Sequence, residues 1–337
     1  MILMAVYGPA YAESEILKDF TFNIIINAVG QLIFLGIFFL YCYTKNINYK
    51  KAAFITLPHL EAPLVPAAEP PPPFVEYQAQ AEPPFPENKT EGGQTKAAPA
   101  KKFNKPAVLQ LLVAALAAGI CLFGFMYSNA AFEELLKLTG YTPRAFPLDF
   151  DTFPRFLAGI LVACLLPAVC EELIFRGIIL RGLRGLGKVP AVLLSAAAFS
   201  LVHMSPMQTV HQFLLGVVLA IVALETRSIL APMLIHFVNN LLALILVYAR
   251  ADEVFGNVSV WAGYLLAILT LIASAALIYL IIRLIRKIRG TPEGDTEQVP
   301  APHQQEKSRA LMFLGIGGLF ALLMWFLAFA SGFLPPT

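Results

Sequence analysis

Runs of about twenty apolar residues recur along this chain, and no other feature restricts its fold as strongly. A run of that length crosses the bilayer core as a helix, because lipid offers no hydrogen-bond partner to an open backbone. About eight such runs are read, at 20–43, 107–127, 155–180, 189–204, 209–224, 229–249, 258–283 and 310–333. The fourth and fifth are short and are candidates for partly re-entrant segments. Almost every run is too long for a strand of a soluble protein, so the expected fold is an all-α, polytopic membrane helix bundle of about eight transmembrane helices. Composition agrees: 58% of residues are hydrophobic and 14% charged, against about half and a quarter in soluble domains. The net charge of +2 gives no basic field that would favour nucleic acid. Cys42, Cys121, Cys164 and Cys170 all lie in apolar runs without a close CxxC pair. They read as small core residues rather than a disulfide framework or a zinc site.

Between these runs the chain divides plainly. Residues 1–43 form an N-terminal segment with the first span. Its start, "MILMAVYGPAYAES", has an apolar beginning but no basic n-region, and so carries only part of a signal-peptide pattern. Residues 44–106 are rich in Pro, Ala and Glu and read as a disordered linker. Residues 107–285 would hold the central transmembrane bundle, 286–309 a polar loop, and 310–337 a last helix. Lys45, Lys50, Lys51, Lys101, Lys102 and Lys105 flank the linker, Arg181, Arg184 and Lys188 follow the third span, and Arg283, Arg286, Lys287 and Arg289 follow the seventh. Alternating the spans puts all of these on one side, the cytoplasm, and leaves both termini outside. The expected setting is a bacterial cytoplasmic membrane.

Ionisable residues inside spans are costly and rare. From the third to the sixth span they are Glu171, Glu172, Arg176, His203, His211 and His236, with Asn239 and Asn240 as polar companions. In "CEELIFRG", Glu172 and Arg176 are i and i+4 on one helical face and can pair. Glu171 is turned from Glu172 by about 100°. The simplest division gives Glu172 to Arg176 as an ion pair and leaves Glu171 facing the bundle interior as a base for water. In "FSLVH", Phe199 and His203 share a face. In "HFVNN", His236 and Asn240 do, and an imidazole with a carboxamide can offer two N–H donors to one oxygen, as an oxyanion hole requires. His211 reads as a satisfied helix–helix hydrogen bonder.

"EELIFRG", "FSLVH" and "HFVNN", in this order on successive spans, resemble the motifs EExxxR, FxxxH and HxxxN of the CPBP family of intramembrane proteases, also called the CAAX protease or Abi family. The resemblance covers about residues 150–250 and does not explain the first span, the linker or the last span. It implies a glutamate-dependent membrane endopeptidase. Glu171 and His203 would activate water, His236 and Asn240 would stabilise the oxyanion, and Glu172, Arg176 and Phe199 would support the site. The implied partners are the lipid bilayer and a membrane-associated protein or peptide substrate, with no nucleic acid. No HExxH is present, so hydrolysis without a metal cofactor is expected. The alternative is zinc, held by Glu171, His203 and His236.

Two other classes compete. A non-catalytic scaffold, or a self-immunity protein against a bacteriocin, would keep the same polar network for packing. A transporter would use the carboxylates as proton carriers, but no internal repeat or pair of broken helices points to one.

Overall fold

A computed structural model describes residues 19–45, 119, 124–142, 150–226, 228–249, 259–289 and 304–333. These fold as eight helices, and no strand occurs among the described residues. They are α1 (Phe20–Thr44), α2 (124–138), α3 (Phe153–Leu186), α4 (Lys188–Val202), α5 (Thr209–Thr226), α6 (Leu230–Tyr248), α7 (Val260–Arg289) and α8 (Gln304–Ser331). The all-α membrane bundle expected from the apolar runs is borne out. Five helical segments are long and apolar enough to cross a bilayer: Phe20–Thr44, Phe153–Leu186, Pro206–Thr226, Leu230–Tyr248 and Trp261–Lys287. The run at 107–127 lies mostly outside the described residues, as do nearly all of the Pro-rich linker and much of the 286–309 loop.

Apolar side chains divide between a core and an outer surface, as they must when the solvent is lipid. Phe38 of α1, Phe175 of α3, Phe199 of α4, Leu215 and Leu219 of α5 and Ile235 of α6 form one buried cluster. Ile25, Leu32 and Leu40 of α1, Ile268 and Ile272 of α7, and Leu319 and Phe320 of α8 face outward. Such exposure would be a liability in water and is ordinary against hydrocarbon.

The third span is longer than its apolar run. The helix continues past Leu180 through Arg181 and Arg184 to Leu186, and Gly187 turns the chain at φ 101°, a conformation that favours glycine. Long basic side chains extend a span at its interfacial end, so hydropathy alone stops too early. The correction matters for depth. With a boundary at residue 180, Glu171 falls near one end of its span while His203 falls near the far end of the next, offset from it. In the structure Glu171 lies near the middle of α3 and precedes Gly187 by as many residues as His203 follows it. The α3–α4 hairpin therefore brings them level. The fifth segment is also corrected: with a short 3₁₀ turn at Pro206–Gln208 it runs 21 residues and is long enough to span. The fourth is short, at 15 residues.

Two close approaches fix the hairpin's neighbours. A Cβ on Gly216 would lie 3.0 Å from Ala196 Cα, so glycine lets α5 press against α4. At the Gly187 end, Glu225 of α5 accepts from Lys188 of α4 and from Arg286 Nη2 and Nε of α7, at 2.8 and 3.0 Å for the two arginine nitrogens.

Candidate active site

α3 is an irregular helix where the glutamates sit. It widens to π geometry at Ile160–Leu165, returns to α at Leu166–Glu172, and widens again at Leu173–Leu180. Such π segments are rare and frequently mark functional sites. Pro167 supplies a local cause, because it has no N–H for the turn before it and its ring crowds the carbonyl four residues back, that of Ala163. That carbonyl finds a donor on another helix: Asn240 Nδ2 of α6 lies 3.1 Å from Ala163 O.

Glu172 is fully buried and binds in two directions. Its Oε1 accepts from Arg176 Nη1 at 2.8 Å and lies 3.0 Å from His236 Nδ1. A carboxylate only accepts, so Nδ1 carries the proton in this contact. Arg176, 1% exposed, also donates from Nη2 to the Gly216 carbonyl at 3.1 Å. Phe199 stands at the centre of this group. The Arg176 guanidinium lies 4.7 Å from its ring centroid, while the rings of His203, His236 and Phe175 meet it edge-on at 4.9, 5.5 and 5.2 Å. A cation over an aromatic face, screened from water, adds to the hold on the arginine.

Glu171 has different surroundings. Its Oε1 accepts from Gln31 Nε2 of α1 at 2.8 Å. Its Oε2 is buried with no hydrogen-bond partner among the described residues and lies 3.9 Å from His203 Nε2. His203 follows the last turn of α4, and its Nδ1 lies 2.7 Å from the Phe199 carbonyl oxygen. That oxygen only accepts, so Nδ1 holds a proton in this contact, and Nε2, when it carries none, is an acceptor facing Glu171. Met204, at φ 47°, ends the helical path just after His203.

The structure thus gathers Glu171, Glu172, Arg176, Phe199, His203 and His236 around one point. Asn240 reaches Ala163 and accepts from Asn239 Nδ2 at 3.1 Å. His211 sits near His203 with the Asn239 carboxamide beside its ring, and its backbone N–H donates to Asn129 Oδ1 of α2 at 3.2 Å. Among the described residues no three His, Cys, Asp or Glu side chains converge as a metal-binding group. His236 turns its Nδ1 to Glu172, which leaves Nε2 as its free ring nitrogen.

Gln31 lies in the first span, outside the third-to-sixth-span segment that holds the expected site residues. A signal was present, since Asn23, Asn27 and Gln31 recur every fourth residue in an otherwise apolar run and so share one helical face.

The class of molecule is now defined: a helical membrane bundle with a buried carboxylate–imidazole site at the centre of an α3–α4 hairpin. Residues 153–242 match the family model described as type II CAAX prenyl endopeptidase Rce1-like. The resemblance carried by the three motifs is borne out for this segment, which matches the CAAX-type protease family, and the chain that carries it is an integral membrane protein. No curated protein and no solved structure matched the chain.

Proposed function

We propose that this protein hydrolyses a peptide bond of a membrane-associated protein or peptide, with Glu171 and His203 activating the attacking water. The observation that carries the reading is the facing pair of acceptors, Glu171 Oε2 and His203 Nε2, at 3.9 Å. A water has two O–H donors. Held by one to each acceptor, it keeps a lone pair for attack. One proton passes to the Glu171–His203 pair as the water oxygen bonds to the scissile carbonyl carbon. The carbonyl π electrons move to oxygen and give a tetrahedral oxyanion. When that collapses, the C–N bond breaks and the stored proton goes to the leaving nitrogen.

For the oxyanion, His236 and Asn240 are the proposed donors, and their surroundings set conditions. His236 Nδ1 is turned to Glu172, so only Nε2 is free to face substrate, and it donates only in the imidazolium form. Asn240 uses one amide N–H on Ala163 and has one left to give. Glu172 and Arg176 hold α3, α5 and α6 together around these groups. No step is routed through a metal.

The non-catalytic scaffold or self-immunity reading draws on the same two contacts, since His236 and Asn240 both tie helices together. One assay separates the readings. The detergent-purified protein is offered a set of fluorogenic peptides, including a prenylated one with a CAAX-type C-terminus, with and without a chelator. The wild type cleaves at least one peptide, with the chelator making no difference, and Glu171→Gln lowers turnover by about 10²–10⁴ without loss of folded protein. Equal turnover in Glu171→Gln removes the catalytic assignment. Loss of activity on chelation, restored by zinc, removes the metal-free mechanism.

A further inference from the structure

The domain that matches the protease family begins at residue 153, yet one of the closest contacts of Glu171 comes from far outside it. Gln31 lies 140 residues earlier in the chain, and its Nε2 donates to Glu171 Oε1 at 2.8 Å. Packing on both sides holds that amide in place. α1 runs parallel to α3, with Phe20 against the Phe150 ring at one end and Phe34 against Phe175 beyond the contact. Phe38 and Cys42 continue into the buried core.

Two other polar side chains of α1 donate along the chain: Asn23 Nδ2 to Asp19 O at 3.1 Å and Asn27 Nδ2 to Asn23 O at 2.8 Å. Gln31 reaches across to α3. It does so at a cost, because its Oε1 is buried with no hydrogen-bond partner among the described residues. A buried amide with an idle carbonyl is less stable than an apolar side chain packed there. Packing alone therefore gives no reason for a glutamine.

Chemistry does. The terminal torsion of a glutamate is broad, so an untethered carboxylate swings about its axis. A donor on Oε1 stops that rotation and leaves Oε2 as the oxygen turned to His203 Nε2. We propose that Gln31 is a positioning residue that fixes the plane of the Glu171 carboxylate for attack by water, so that α1 is part of the catalytic unit. The proposal rests on the catalytic role assigned to Glu171 above.

The test uses full-length protein in detergent and whichever peptide of the fluorogenic set is cut fastest. Gln31→Met keeps the length and unbranched shape of the side chain but has no N–H. Gln31→Glu keeps the outline and places a second acceptor against the first. Expected for Gln31→Met is a fall in kcat of about 10–100-fold, the scale of a small misplacement of a reacting group, with KM within about twofold and the unfolding midpoint not lowered. Gln31→Glu falls at least as far. A packing role would instead lower the unfolding midpoint and the folded fraction together, leaving kcat per folded molecule intact, and that result overturns the proposal. So does an unchanged kcat in Gln31→Met when Glu171→Gln is inactive, which removes the role of Gln31 alone. Full turnover in Glu171→Gln removes the catalytic reading and this proposal with it.

Discussion

Two adjacent carboxylates, Glu171 and Glu172, sit in the same apolar helix and have different partners. Glu172 is bound from two sides, by Arg176 and by His236. Replacing it with alanine strands a fully buried guanidinium that keeps, among the described residues, the Gly216 carbonyl as its hydrogen-bond acceptor, and breaking a buried pair costs about 3–5 kcal/mol. Glu172→Ala is therefore expected to lower the unfolding midpoint in detergent markedly. Adding Arg176→Met should return part of the loss but not all of it, because His236 Nδ1 still lacks its acceptor. A thermal-shift comparison of the two single variants and the double decides this, and a double variant no more stable than Glu172→Ala refutes it. Part of this was readable in the sequence. The i, i+4 spacing makes the Glu172–Arg176 contact legible because it is local to one helix. The His236 and Gln31 contacts are not, since both depend on how helices distant in sequence dock. Four-residue spacing identifies a polar face but says nothing of what that face meets.

At the scale of the element, Pro167 gives a local cause for the first wide segment of α3, and α6 compensates. In a regular helix the Ala163 carbonyl would take the N–H four residues on, which proline lacks. Asn240 supplies it instead. Two roles thus meet on one side chain, and a double-mutant cycle separates them. Asn240→Leu should cost about 1 kcal/mol with Pro167 present, the low end of the penalty for leaving a polar group without a partner, since the contact is part-buried. In a Pro167→Ala background the helix can satisfy Ala163 itself, and the same substitution should cost less. Equal losses in both backgrounds, measured by thermal shift, would show that Asn240 does not act through Ala163. Sequence reading located α3 but misjudged its end, and for a physical reason. Hydropathy falls at Arg181, whereas the helix continues to Leu186, and long basic side chains are tolerated at the end of a span. The apparent difference in depth between Glu171 and His203 came from that boundary alone.

At the scale of the whole molecule, helices from both ends of the chain close on the protease-like segment. α1 brings Gln31 to Glu171, and α8 braces the turn that carries His203. Apolar runs mark both helices as membrane elements but cannot say where they dock, because a lipid-facing helix reads alike at any position around a bundle. On α8, Trp325 Nε1 donates to Thr209 Oγ1 at 2.8 Å, and that hydroxyl donates to the Ser205 carbonyl at 3.0 Å. The Thr209 carbonyl accepts from Ser200 Oγ at 2.8 Å, so the connection from α4 to α5 is tied at both ends. Behind it, Trp325 stacks on Phe329 at 5.5 Å, and Phe329 on Tyr141 at 5.7 Å, which anchors α8 to the chain after α2. Two substitutions separate the hydrogen bond from the stack. Trp325→Phe keeps an aromatic ring and removes the N–H, and should cost about 0.5–1.5 kcal/mol, the net worth of one such bond. Trp325→Ala removes both and should cost more. If the brace holds His203 in register with Glu171, kcat falls in both variants and further in the second, while KM stays near the wild-type value. The measurement is an unfolding midpoint with kcat and KM for the three proteins on one peptide. A Trp325→Ala protein as active per folded molecule as the wild type would mean that α8 stabilises the bundle without steadying its chemistry.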